Sequence, residues 1–282
     1  MVSTLTLFAA LLVSGQQPAI DTVCEQVAPV HAEGQWMRSA NRTQAVLVIR
    51  GLQVHVREKH VARAELQTWQ KANSPLVKEL GKASDVFVFA YGQNAPIDAV
   101  VNQSKLCERV KQIRKLGYAD VVLVGHSAGG LVARHFVEDH PNVGVTKVVQ
   151  IATPNGGASL ASLGVLTAPK SQKPFLECLT VDNRRKCLEE RAGKVIPKNV
   201  HFVCLVAKLK VDPGSDGVVS CVHQWSPDLQ AQGIPAVCVT GSHAEVVRSA
   251  KLAETVARLV GERHDRWPVE RVEKAKKEIL RK

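Results

Sequence analysis

Residues 121–136 read VVLVGHSAGGLVARHF, and this stretch decides the fold. An apolar run, Val121 to Val124, enters Gly125-His126-Ser127-Ala128-Gly129 and leaves as an amphipathic pattern carrying Leu131, Val132 and Phe136. A strand buried on both faces reads as a continuous run of branched residues, whereas a helix repeats with a period near 3.6. The change of period across five residues marks a sharp strand-to-helix turn. Glycine at both flanks leaves room where helix and strand come close, and the serine between them is thrust off the end of the sheet on a strained backbone. Its hydroxyl then lies at the amino end of a helix, where backbone N–H groups, that of Ala128 among them, meet developing negative charge. The alternative is a glycine-rich phosphate loop, but no Gly-x-Gly-x-x-Gly and no Gly-Lys-Ser/Thr occurs. Ser127 is therefore the candidate nucleophile, with Gly125, His126 and Gly129 forming its turn.

A serine hydroxyl is a weak nucleophile near neutrality and needs a base within hydrogen-bond reach, itself oriented by a carboxylate. The later sequence offers both. After the apolar run ending at Leu209 comes KVDPGSDGVVS, and after the run ending at Thr240 comes Gly241-Ser242-His243. His243 precedes a helical stretch and has little local structural purpose, so it is the candidate base; the alternative is a loop histidine satisfied by its surroundings. Asp216 is the preferred acid, because Gly217 and an apolar pair follow it in a turn that projects the carboxylate inward. Asp212 stands before Pro213 and reads as a turn initiator, yet it remains the second choice.

Working outward, AVLVIRG (45–51), DVFVFAYG (85–92), DVVLVGHS (120–127), TKVVQIATP (146–154), NVHFVCLVAKL (199–209) and AVCVTGSH (236–243) read as buried strands. Helical patterns run from Ala64 to Leu80 with a break at Pro75, Ile97 to Leu116, Gly129 to Asp139 and Ala244 to Val260. The alternation predicts an α/β fold, a mostly parallel central sheet with helices on both faces. Residues 155–198 interrupt the rhythm with scattered Gly, Pro and charge. They read as a lid or cap insertion over the carboxyl ends of the strands, or as a disulfide-pinned surface excursion.

Taken in order, these residues resemble the α/β-hydrolase superfamily, in its branch of secreted serine lipases and esterases of the triacylglycerol lipase kind. The likeness spans roughly Ala45 to Val260. It rests on Val48-Ile49-Arg50-Gly51-Leu52, the turn Gly125 to Gly129, Ala152-Thr153-Pro154-Asn155-Gly156-Gly157, Asp216-Gly217-Val218-Val219 and Ser242-His243. The resemblance implies a second oxyanion donor in the loop after an early strand, here the Leu52 N–H beside that of Ala128. Arg50 stands where such relatives usually carry His, a bulky cation that could reshape the loop or pair with an acid. The implied activity is cleavage of lipid-like or other hydrophobic carboxylic esters through an acyl-enzyme, with no metal and no organic cofactor. The same apparatus serves thioesterases and acyltransferases, and a catalytically silent binding protein on the same scaffold is the alternative. Leu160, Leu163, Val165, Leu166, Phe175 and Leu176 would line an acyl pocket or belong to the core.

The chain has 282 residues, 45% hydrophobic and 22% charged, which suits a folded domain and excludes wholesale disorder. With 37 Lys and Arg against 26 Asp and Glu it carries +11, a balance that favours peripheral contact with anionic surfaces. Nucleic acid is disfavoured, because the few aromatic residues sit mostly in apolar runs. Residues 1–15, with an apolar run from Leu5 to Val13 and no charged side chain, resemble a signal peptide, so the mature chain is expected to be secreted or periplasmic without a transmembrane segment. Residues 16–262 form the hydrolase-like domain. Residues 263–282 form a basic helical tail starting near Pro268, with Val269, Val272 and Ile279 on one side, either a solvated terminal helix or a surface-binding one. An oxidising compartment would let the seven cysteines form up to three disulfides, with Cys178–Cys187 the easiest ring to close, Cys221–Cys238 a pair that would tie a loop to the strand after it, and Cys204 the candidate for the unpaired one. No Cys-x-x-Cys and no His-Glu-x-x-His points to zinc. Asn41-Arg42-Thr43 and Asn102-Gln103-Ser104 would accept glycans only in a eukaryotic secretory route.

Overall fold

Alternate residues of each apolar run face opposite ways in a strand, and both directions here lead to a core. Leu47, Ile49, Phe87, Phe89 and Leu123 belong to one buried cluster, while Val46, Val48, Val86, Val88 and Val122 belong to the other. A sheet that is apolar on both faces must be covered on both. Helices Ile97–Gln103, Leu106–Lys115 and Ala128–Asp139 supply the first cover, and Pro75–Gly81 and Ala250–Gly261 the second.

The computed structural model describes residues 19–32 and 34–280; the apolar stretch read as a signal peptide lies outside them. The six expected strands form as β2 (Gln44–Ile49), β3 (Asp85–Tyr91), β4 (Asp120–His126), β5 (Lys147–Ile151), β6 (His201–Lys208) and β7 (Ala236–Thr240). A seventh, β1 (Thr22–Ala28), pairs antiparallel with β3, giving the order β1-β3-β2-β4-β5-β6-β7 with every other pairing parallel. The apolar-run criterion passed over β1 because Cys24, Glu25 and Gln26 break its apolar character, as suits a strand at the sheet's edge.

Helix boundaries depart from the sequence expectations where a cap intervenes. Only Pro75–Gly81 of the pattern begun at Ala64 is α-helical, because the Ser74 hydroxyl accepts from the Val77 N–H at 3.2 Å and Pro75 fills the first position. The pattern from Ile97 divides at Ser104, whose hydroxyl accepts from the Leu106 N–H. The pattern from Ala244 becomes a short 3₁₀ turn, Glu245–Val247, and then Ala250–Gly261. Residues 155–198 fold into helices Ser159–Thr167, Lys173–Glu177 and Val181–Glu190. The tail helix, Val269–Ile279, buries Val272, Ala275 and Ile279 against the first cluster and leaves Val269 exposed, so its apolar stripe is offset from the expected one. No helix among the described residues is long and apolar enough to cross a membrane.

The expected disulfides are absent, and all seven cysteines are free. Spacing carries no information on where a sulfur points. The Cys178 thiol faces the Pro174 carbonyl at 3.2 Å, Cys187 accepts from Arg184 Nη1 at 3.3 Å, and Cys221 lies 3.6 Å from the Pro213 carbonyl.

Among the glycines, the tightest approach to another segment's backbone is between the turn after β4 and the end of β2. A Cβ at Gly129 would lie 2.3 Å from the Arg50 carbonyl oxygen and 2.5 Å from that of Ile49. Both are backbone atoms at the end of a central strand and cannot swing aside. Gly129→Ala is expected to cost about 2 kcal/mol or more of folding free energy, read from urea denaturation; a midpoint equal to the parent protein's would contradict this packing.

Candidate active site

Ser127 occupies a conformation that L-residues avoid, with φ 53° and ψ −128°. Such strain costs on the order of 1–3 kcal/mol and persists only where the surroundings hold it. Here they do: the Ser127 N–H donates to the Ile151 carbonyl, and the Ser127 carbonyl accepts from the Gly130 N–H, each at 2.9 Å. A Cβ at Gly125 would come within 2.4 Å of the Gly129 carbonyl oxygen, so both flanking glycines are required by contact. Ala128 opens the helix, and its N–H has no carbonyl one turn earlier to bond. Ala152, just after β5, is the other non-glycine residue with positive φ among the described residues, at 48°. Nothing in the sequence distinguished it.

Two histidines and one carboxylate meet at this turn. The buried His126 ring donates from Nε2 to the His243 carbonyl oxygen at 2.9 Å, and the two imidazole centroids are 4.8 Å apart. The residue before Ser127 thus ties the turn to the loop after β7. His243 Nδ1 donates to Asp216 Oδ2 at 2.7 Å, and the His243 N–H donates to the Asp216 carbonyl at 2.9 Å. The other carboxylate oxygen accepts from the N–H groups of Val218 and Val219, at 2.8 and 2.7 Å. Asp216 is buried, whereas Asp212 is exposed and accepts from the Gly214 N–H. Of the two candidate acids the structure brings Asp216, not Asp212, to His243.

Leu52 lines the same cavity as Ser127, just beyond Gly51, where a Cβ would sit 3.1 Å from the Ser127 Cβ. Arg50 does not pair with an acid among the described residues. It is fully buried and donates to the Glu65 carbonyl at 3.0 Å and to Gln53 Oε1 at 3.2 Å, with its guanidinium over the Tyr91 ring. Glutamines complete the loop. Gln93 accepts from the Gln53 N–H and donates to the Gly51 carbonyl, Gln172 donates to the Gln53 carbonyl, and Gln67 donates to that of Leu52. The fully buried Gln93 and Gln172 were invisible in the sequence, since no local pattern marks a glutamine that bonds a loop forty or more residues away.

Ser127 and His243 open into one cavity of about 320 Å³. Trp69, Leu160, Leu176, Leu179, Val219 and Val247 make much of its wall. Helix Ser159–Thr167 continues this apolar surface outward, with Leu163 and Leu166 61% and 75% exposed. Leu160 and Leu176 reach the cavity as expected, whereas Phe175 is fully buried in the core.

One group of potential metal ligands exists among the described residues, formed by Asp98, His135 and Cys187 away from this cavity. It does not fit a cation. Arg184 Nη1 donates to both His135 Nε2 and the Cys187 sulfur, and His135 Nδ1 donates to Asp98 at 2.7 Å, so the ligand atoms are already committed to a guanidinium. The bond from His135 holds the Asp98 carboxyl down to about 2.

A family model described as a domain of unknown function, DUF7379, matches residues 13–208. The chain belongs to this family. The matched span includes Ser127 and Leu52 and ends before Asp216 and His243. No curated protein matches the chain. Among solved structures, the mature Bacillus licheniformis lipase BlEst2 superposes with a TM-score of 0.62 at 13% identity, over 85% of this chain and 97% of that one. The phospholipase PlaB from Legionella pneumophila gives 0.56 at 13% identity, over 84% of this chain and 64% of PlaB. A metagenomic carboxyl esterase gives 0.52 at 16% identity, over 84% and 82%. The fold is that of the α/β-hydrolases.

Burial pushes His126 down to about 3, with the neighbouring His243 adding to the effect, and pushes His135 down to about 4 despite its bond to Asp98. Both titrate in the unfolded chain near 6.5, so each contributes stability that is complete above that pH and lost as pH falls toward 4. Urea midpoints are expected to stay level above about pH 7 and to drop between pH 6.5 and 4. A midpoint independent of pH across that window would contradict the burial of the two rings.

Proposed function

We propose that the protein is a serine hydrolase that cleaves carboxylic esters with an apolar acyl group. The observation that carries this reading is the meeting, at one apolar cavity, of a strained Ser127 and an imidazole whose Nδ1 is held by the buried Asp216. With Nδ1–H donated to the carboxylate, the lone pair of His243 is on Nε2, the nitrogen free to take the Ser127 proton. Attack on the ester carbonyl places negative charge on its oxygen. The amides of Ala128 and Leu52 are the donors we assign to it, and Arg50 with the surrounding glutamines holds the loop carrying Leu52. Asp216 stabilises the imidazolium, the alcohol departs with the proton, and water repeats the sequence to free the acid. No step calls on a metal or an organic cofactor.

The wall formed by Leu160, Leu176 and Leu179 is where the acyl chain lies in this reading, and residues 155–198 act as the cap over it. Export completes the proposal: residues 1–15 are taken as a signal peptide, and the mature enzyme works outside the cytoplasm on lipid-like esters.

Hydrolysis of nitrophenyl esters of graded chain length tests the reading. Ser127→Ala is expected to lower kcat by about 10⁴-fold or more, and Asp216→Asn by about 10⁴-fold, without loss of fold. Each buried methylene contributes about 0.8 kcal/mol, so kcat/KM should rise at least tenfold from acetate to hexanoate. Turnover that survives Ser127→Ala would refute the assignment, and a preference for acetate would refute the acyl wall.

A further inference from the structure

The cavity at Ser127 is not uniformly apolar. Setting aside His126 and His243, Arg248 is the one ionisable side chain among those lining it, and no Asp or Glu does so. Its guanidinium forms no ion pair among the described residues; the acid one turn earlier, Glu245, accepts instead from the Ser242 N–H. The turn that presents it is firmly seated. Val246 and Val247 are buried, the Arg248 N–H donates to the Glu245 carbonyl at 2.9 Å, and so does that of Ser249. An unpaired cation thus stands on a fixed turn in the lining of a site to which residues 155–198 contribute only uncharged side chains beyond Pro154, those of Ala158, Leu160, Ala161, Leu176 and Leu179.

The chemistry of ester cleavage fixes which half of a substrate meets which wall, and the inference rests on the hydrolase reading at this point alone. When the tetrahedral adduct collapses, the bond from the acyl carbon to the alcohol oxygen breaks, its electron pair stays on that oxygen, and His243 supplies the proton. The leaving oxygen must therefore lie within hydrogen-bond reach of His243. The alcohol half is held against the segment that bears the base, and Arg248 is five residues further along it. We infer that Arg248 binds an anionic group, phosphate, sulfate or carboxylate, on the alcohol portion of the substrate. The preferred ester is then an amphiphile, with an apolar acyl chain against the leucine wall and a negative charge on the alcohol. A guanidinium suits a tetrahedral or planar oxyanion because its N–H groups form a fixed fork.

Two readouts test this in the full chain. In the first, hexyl phosphate, 1-hexanol and inorganic phosphate are titrated into the Ser127→Ala protein, which needs no turnover. Arg248→Gln added to it is expected to weaken hexyl phosphate binding about tenfold, Arg248→Lys to weaken it less, and neither to change the affinity for hexanol comparably. In the second, 4-sulfophenyl butyrate and phenyl butyrate are compared as substrates, and Arg248→Gln is expected to lower the ratio of their kcat/KM values about tenfold. Added salt should lower that ratio in the parent protein, because an exposed ion pair is screened. Arg248-dependent binding of hexyl phosphate by a protein that hydrolyses neither ester would keep the anion site and remove the hydrolase reading. Turnover of both esters at a ratio unmoved by Arg248→Gln would do the reverse. The inference is overturned if hexyl phosphate fails to bind, if its affinity is indifferent to residue 248, or if inorganic phosphate binds as tightly, which would mark a free-anion site.

Discussion

The carboxyl edge of the sheet depends on a single close approach, the packing of the turn at Gly125–Gly129 against the ends of β2 and β5. Two backbone carbonyls, those of Ile49 and Arg50, stand where any side chain at position 129 would have to go. The Ile151 carbonyl fixes the Ser127 N–H from the other side. Between these limits the serine has no relaxed conformation open to it, and its hydroxyl is carried off the sheet by the geometry of its neighbours. The strain is local, and the long parallel ladders of the flanking strands hold it in place.

The same turn also recruits its partners. Through His126 the backbone of His243 is bonded to the residue preceding Ser127, so Ser127 and His243 are positioned by a link that involves neither of their side chains. Asp216 is fixed in a comparable way. Its turn is held by Gln224, whose side chain donates to the Val219 and Ala207 carbonyls and accepts from the Ala207 N–H. A displaced carboxylate would have to break that buried amide first. On the far face, the Arg134 contacts with Glu138 and Asp228, together with the bonds from Arg191 to Glu138 and Asp139, brace the helix that follows Ser127. The site is therefore the cavity-lining end of a largely buried polar scaffold.

Much of this architecture was legible in the chain. Six strands were readable because branched and aromatic residues dominate them, and the turn at Ser127 was readable because glycine alone fits at its flanks. Asp216 could be preferred over Asp212 from Gly217, a residue that takes a positive φ, and from the proline after Asp212. What stayed hidden was non-local. Gln93 and Gln172 bond a loop distant in sequence, Gln224 ties the Asp216 turn to β6, Arg50 is buried against carbonyls and an aromatic ring, and Ala152 adopts an unusual backbone. The edge strand β1 was missed since half-burial removes the apolar signature. The disulfide expectation failed for a related reason, because spacing says nothing about the direction of a sulfur atom. Arg248 reads in sequence as one cation among many and gains meaning only from the cavity it borders.

The central claim is that the backbone makes Ser127, alone among the serines, a nucleophile. Treating the folded protein with a fluorophosphonate and mapping the modified peptide by mass spectrometry tests it without any assumption about substrate. A single adduct on Ser127, abolished when the protein is unfolded in urea before labelling and lost in His243→Ala, is the predicted result. A folded protein that takes up no label, or carries it on other serines while Ser127 stays unmodified, would contradict it.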